Sequence, residues 1–177
     1  MKKEYDIFLR YSSLFALLYF FISTYFLVPI THIFLLISYW FLKLITKVQY
    51  IGGELLVNSE VKFLIIDACI APSAYVFISI IFLTLPIPFI KNISLLLKAL
   101  LAFTIINLLR ILFLMWVHVQ FGIEVFNKFH YIFYEGVSGI LMAAIIIYYL
   151  KNNHTKKTYP LFTDVKDLVK EIRKGKQ

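Results

Sequence analysis

The stretch LAFTIINLLRILFLMWVH, residues 101–118, decides how this chain reads. With Ala99 and Leu100 ahead of it, it reaches the length of about 20 mostly apolar residues that a helix needs to cross a bilayer core. Its one charge is Arg110, set among Leu108, Leu109, Ile111 and Leu112. A charge inside a membrane helix costs about 2.5–3.5 kcal/mol on insertion scales, so such residues face a bundle interior and mark function. The plain alternative is snorkelling to the interface. From Arg110 to His118 is about 12 Å at the helical rise per residue, which is long for that. Asn107 sits at i−3 on the same face, where it can hold the guanidinium in one orientation. Its structural alternative is an interhelix hydrogen bond.

Outward from this segment the chain keeps the same character. Residues 11–42, 70–90, 111–123 and 136–150 contain no Asp, Glu, Lys or Arg, and 61% of the 177 residues are hydrophobic. A soluble domain is usually about 45–50% apolar. The expected fold class is therefore an all-α integral membrane protein, a bundle of about four transmembrane helices at roughly 10–28, 70–86, 94–117 and 131–150. Residues 30–46, beyond Pro29, are expected to form a further helix, interfacial or kinked back along the bundle. Tyr39 and Trp40 suit an interface. The first apolar run is too long for a cleavable signal, and no small-x-small site follows it.

Charge sets the orientation. The N-terminus carries Lys2, Lys3 and Arg10, and the tail after Leu150 carries eight basic residues against Asp164, Asp167 and Glu171. Both ends read as cytoplasmic, with an even number of spans. The loop near Lys91 is then inside, and 43–67 and 118–130 are outside. The formal net charge of +8 lies mostly in the tail, so it points to a membrane surface rather than to nucleic acid. Residues 1–150 form the membrane-embedded part and 151–177 a basic cytoplasmic tail. There Leu161, Val165, Leu168, Val169 and Ile172 fit an amphipathic helix with Lys166, Lys170 and Arg173 toward headgroups. Between the spans, residues 54–66 alternate Leu55, Val57, Val61, Phe63 and Ile65 around Asn58-Ser59, after Gly52-Gly53. That pattern predicts a short outer β-hairpin.

The chemistry-bearing residues gather at the outer end. Cys69, in Asp67-Ala68-Cys69-Ile70-Ala71-Pro72, is expected at the N-terminus of the helix that Pro72 opens, where the dipole favours a thiolate. A lone Cys is otherwise a packing residue. Asp67 opposes a thiolate unless it pairs with Arg110, and Lys62 is a weaker charge partner. His130 opens the last span above Gly136 and Gly139, whose small size permits close packing. His32 and His118 read as interfacial and His154 as a headgroup contact. Cys69, Arg110 and His130 share one membrane depth, and thiol, fixed cation and imidazole are the parts of acyl transfer. A single Cys excludes an internal disulfide. No carboxylate–His cluster stands at ligand spacing, so neither metal nor cofactor is expected.

At these positions the sequence resembles the exosortase/archaeosortase family of membrane cysteine transpeptidases. The resemblance rests on Ala68-Cys69, Asn107-Leu108-Leu109-Arg110 and Phe129-His130, in that order, and covers residues 50–150. It implies a thiol protease and transpeptidase of a prokaryotic cell membrane. Such an enzyme cleaves the C-terminal sorting signal of secreted proteins (a motif, a transmembrane helix and a basic end). It transfers the new C-terminus to a membrane lipid acceptor. The family often has Ser or Thr and then Gly after the Cys, where this chain has Ile70-Ala71, a departure that bears on the backbone at the nucleophile. The alternatives are a thiol protease that only hydrolyses, and a non-catalytic scaffold in which Arg110 binds an anionic lipid.

Overall fold

The structure is a computed structural model that describes residues 2–58, 61–85 and 87–152. The side chains at 2–4, 22, 24, 67, 68, 135 and 152 are outside that description, as are His154 and the amphipathic tail helix expected from residue 160. The elements are α1 (Lys2–Ile22), α2 (Thr24–Lys43), β1 (Val48–Ile51), β2 (Glu54–Val57) and β3 (Val61–Phe63). They continue with α3 (Asp67–Ile70), α4 (Pro72–Leu83), α5 (Phe89–Ile132), a π-helical turn (Phe133–Val137) and α6 (Ser138–Asn152).

The break in the first apolar run falls at Ser23, not at Pro29. Ser23 takes an extended conformation (φ −76°, ψ 153°), and its hydroxyl donates to the Phe20 carbonyl at 2.6 Å. Pro29 is inside α2. There it leaves the Tyr25 carbonyl without its intrahelical N–H donor, and the helix continues past it to Lys43. The shift lengthens the second helix. Among the described residues, Tyr25–Lys43 and Phe89–Ile132 are long and apolar enough to cross a membrane. The helices α4 and α6 are apolar but shorter. Among the described residues 22% of the apolar window in α2 and 33% of that in α5 is buried, so most of each apolar surface is exposed. Leu97, Leu101, Ile105 and Leu109 form an exposed apolar stripe along α5.

The core lies where α4 packs against α1 and α5, running antiparallel to both. Tyr75, fully buried on α4, packs against Phe21, Phe26 and Phe103 with ring centroids 5.0–5.4 Å apart. Its hydroxyl donates to Thr104 Oγ1 at 2.9 Å, since the Thr104 proton goes to the Leu100 carbonyl. At one end a polar knot closes the bundle. Asp6 Oδ1 accepts the Phe89 N–H at 2.8 Å, a donor that the first turn of α5 leaves free. Arg10, 4% exposed, donates to the Leu85 carbonyl at 2.7 Å and pairs with Asp6 at 3.5 Å. Asn92 Nδ2 reaches the same carbonyl at 3.1 Å. The start of α1 and the turn near Lys91 thus share one end of the molecule.

The helix expected at 94–117 begins at Phe89 and runs to a kink at Gly122, and the segment 118–130, expected as a loop, is helical on either side of that kink. Val125, Phe126 and Phe129 repeat at helical spacing there and no Pro interrupts. Gly122 breaks the axis with φ 80° and ψ −179°, a conformation open to glycine because it lacks Cβ. His130 therefore ends α5 rather than opening α6.

The expected hairpin is two strands of a three-stranded antiparallel sheet in the order β1-β2-β3. Gly52 and Gly53, both at positive φ, make the two-residue turn that pairs Ile51 with Glu54. Leu55 and Val57 point to the core, as their alternation requires.

The Asp6 cap yields a stability prediction. Asp6→Ala should lower the unfolding temperature in detergent by the equivalent of about 1 kcal/mol, the usual worth of an N-terminal cap, with Asp6→Asn losing less.

Candidate functional site

Cys69 belongs to α3, a single helical turn, and its N–H bonds the Ile66 carbonyl at 2.8 Å. It does not sit at the mouth of α4. Between them Ala71 turns the chain through the left-handed region (φ 58°, ψ 60°), and Pro72 then opens α4. A turn this short leaves its carbonyls without intrahelical partners, and side chains from α5 satisfy them. Asn107 Nδ2 donates to the Cys69 carbonyl at 2.9 Å and to the Ile70 carbonyl at 3.1 Å. Arg110 Nη2 donates to the Cys69 carbonyl at 3.1 Å. Asn107 and Arg110 therefore meet at one acceptor, rather than Asn107 gripping the guanidinium directly as the sequence suggested.

The other arm of the guanidinium reaches α6. Arg110 Nη1 donates to Ser138 Oγ at 2.7 Å, and Ser138 donates its own proton to the Phe133 carbonyl at 2.6 Å. Arg110 Nε is buried and has no hydrogen-bond partner among the described residues. The guanidinium carries more N–H donors than these bonds engage. It lies close enough to the half-buried Cys69 thiol for the two to interact electrostatically.

Cys69, Arg110 and His130 line one cavity of about 160 Å³, walled by Phe63, Leu114 and Tyr134. His130 is exposed and stacks on Phe126 (5.5 Å, 16°) and on Tyr134 (6.4 Å, 19°). A second cavity of about 440 Å³ lies beyond the guanidinium. Ala71, Ser73, Phe103, Ser138 and Met142 are among its walls, and Arg110 and Tyr134 line both. The three residues thus converge from two elements, Cys69 from α3 and Arg110 and His130 from α5 on either side of its Gly122 kink.

Other expectations change. Lys62 is exposed and pairs with Glu54 at 3.8 Å across the sheet, away from the thiol chemistry proposed for it. The side chain of Asp67 lies outside the described residues. Gly136 and Gly139 make no close helix contact among the described residues, where nothing lies within 4 Å of the position of a Cβ; Gly139 instead lines the larger cavity. His118 packs edge-on against Phe63 and Phe126, one ring from His130. His32 is exposed beside Tyr39 and Tyr50. Sequence reasoning missed Ser138 and Tyr134. Their signal was the four-residue spacing His130, Tyr134, Ser138 within the last apolar segment. Among the described residues no group of three or more His, Cys, Asp or Glu side chains stands together to hold a metal ion.

Ala71 is strained by its left-handed backbone (φ 58°, ψ 60°). A left-handed conformation costs an L-residue about 1–2 kcal/mol, partly offset in a glycine variant by its freer unfolded chain. Ala71→Gly should raise stability by about 0.5–1 kcal/mol, read from unfolding in detergent. Compared with protein families, curated proteins and solved structures, the chain has no match.

Proposed function

We propose that this chain is a multi-pass membrane cysteine transpeptidase, acting on a peptide bond at the outer face of a prokaryotic cell membrane. The observation that carries the reading is the meeting of Cys69, Arg110 and His130 at one cavity. The outward-facing apolar side chains of α2 and α5 support a lipid surround. In it the bundle crosses four times, on α1 with its continuation α2, and on α4, α5 and α6. The Asp6–Arg10 knot is then cytoplasmic and the sheet lies outside.

In this reading His130 takes the Cys69 proton and the thiolate attacks the substrate carbonyl carbon. A C–S bond forms and the carbonyl pair moves onto oxygen, where the unengaged N–H donors of Arg110 stabilise it. Collapse breaks the C–N bond, and the imidazolium protonates the leaving amine. The resulting thioester is attacked by an acceptor whose proton passes to His130. The C–S bond breaks and the thiol is restored. Following the family resemblance, the substrates are secreted proteins with a C-terminal motif, transmembrane helix and basic end, and the acceptor is a membrane lipid. Water as acceptor would make the protein a protease, and the mass of the product's C-terminus separates the two.

The test is processing of such a substrate in membranes holding equal amounts of each variant. Cys69→Ala should insert normally and leave substrate uncleaved; normal cleavage would end the enzyme reading. Arg110→Lys keeps the charge but replaces a planar fork with a flexible ammonium. Losing a positioned oxyanion donor should cut turnover by about 10²–10³. A Lys variant within a few-fold of the parent would instead favour a scaffold that holds an anionic lipid by charge alone.

A further inference from the structure

The π-helical turn at Phe133–Val137 lies between His130 and the residue that holds Arg110. An α-helix advances about 100° per residue. Eight residues of uninterrupted α-helix would therefore leave His130 and Ser138 about 80° apart around the axis. A π turn closes on i→i+5 and absorbs about one residue, which returns Ser138 to within about 20° of His130. The bonding agrees with this. The Phe133 carbonyl accepts both the Ser138 N–H and the Ser138 hydroxyl. A serine hydroxyl has one proton. With that proton committed to Phe133, its lone pairs face the guanidinium, giving Arg110 a neutral acceptor at 2.7 Å.

We propose that Ser138 is the positioning residue of the Arg110 guanidinium, brought onto the face of His130 by the π turn. Ser138 and the Cys69 carbonyl grip Arg110 from α6 and from the α3–α4 turn, through different nitrogens. Two such anchors fix the plane of a guanidinium, and with it the direction of its remaining donors. Without Ser138 one arm is released, and the cation keeps its charge but loses its aim. Because Ser138 touches Arg110 rather than reacting atoms, its whole effect passes through that side chain.

The catalytic arm of the test rests on the acyl-transfer reading; a second arm does not. Ser138→Ala should lower kcat by about tenfold with KM little changed, and Ser138→Thr, which keeps the hydroxyl, should recover most of it. In an Arg110→Lys background Ser138→Ala should add nothing, since the interaction it removes is already gone. The same cycle is read without substrate as the rate of Cys69 alkylation by iodoacetamide, with Ser138→Ala changing the rate and Ser138→Thr sparing it. A Ser138→Ala protein indistinguishable from the parent in alkylation, or an effect of the same size in the Arg110→Lys background, overturns the proposal. If instead Cys69→Ala still processes substrate, the acyl-transfer reading falls, and the alkylation cycle alone decides whether Ser138 sets Arg110.

Discussion

A guanidinium among apolar side chains has to find acceptors inside the protein, and the arrangement around Arg110 follows from that demand. Leaving it unpaired would cost far more than a neutral polar group left alone. It is met by a backbone carbonyl of the α3 turn and a hydroxyl of α6. Neither acceptor carries a charge, so the cation keeps its field. One side chain on α5 thereby ties together elements that are distant in sequence, and the cavity with the thiol and the imidazole lies at that junction.

The α3–α4 turn is the counterpart of this demand. Its carbonyls are available because the turn ends before any intrahelical donor can reach them, and Ala71 ends it by entering the left-handed region. Strain of this kind persists where surrounding contacts over-determine it. Here those contacts are the bonds from Asn107, itself buried, to the Cys69 and Ile70 carbonyls. The backbone strain, the buried amide and the cation therefore form one device, which fixes the peptide next to the thiol.

The opposite end of the bundle solves a similar problem. The first N–H of α5 and the Leu85 carbonyl lie at a tight connection, and Asp6, Arg10 and Asn92 satisfy them from α1 and α5. Between these polar ends the interior is aromatic, centred on Tyr75. Rigid ends and a packed middle hold α4 against α5, which keeps Cys69 and Arg110 in register.

Much was legible before any coordinates. The uncharged stretches, Arg110 in its apolar setting, Asn107 one turn away, the lone thiol beside Pro72 and the Gly52-Gly53 turn are local patterns with local causes, and composition carries them. The helix ends were not legible. Whether a run breaks at Pro29 or Ser23, and whether 118–130 loops out or stays helical, depends on packing that outweighs single-residue preferences. Ser138 stands at a helical spacing from His130, but a uniform period leaves the two about 80° apart, and a π turn that changes the angular step is what brings them onto one face. Sequence by itself determined which residues are too costly to bury without purpose; only the tertiary structure decided which acceptors those residues meet, because hydrogen-bond partners across 30 or 40 residues are set by how helices pack and not by the order of the chain.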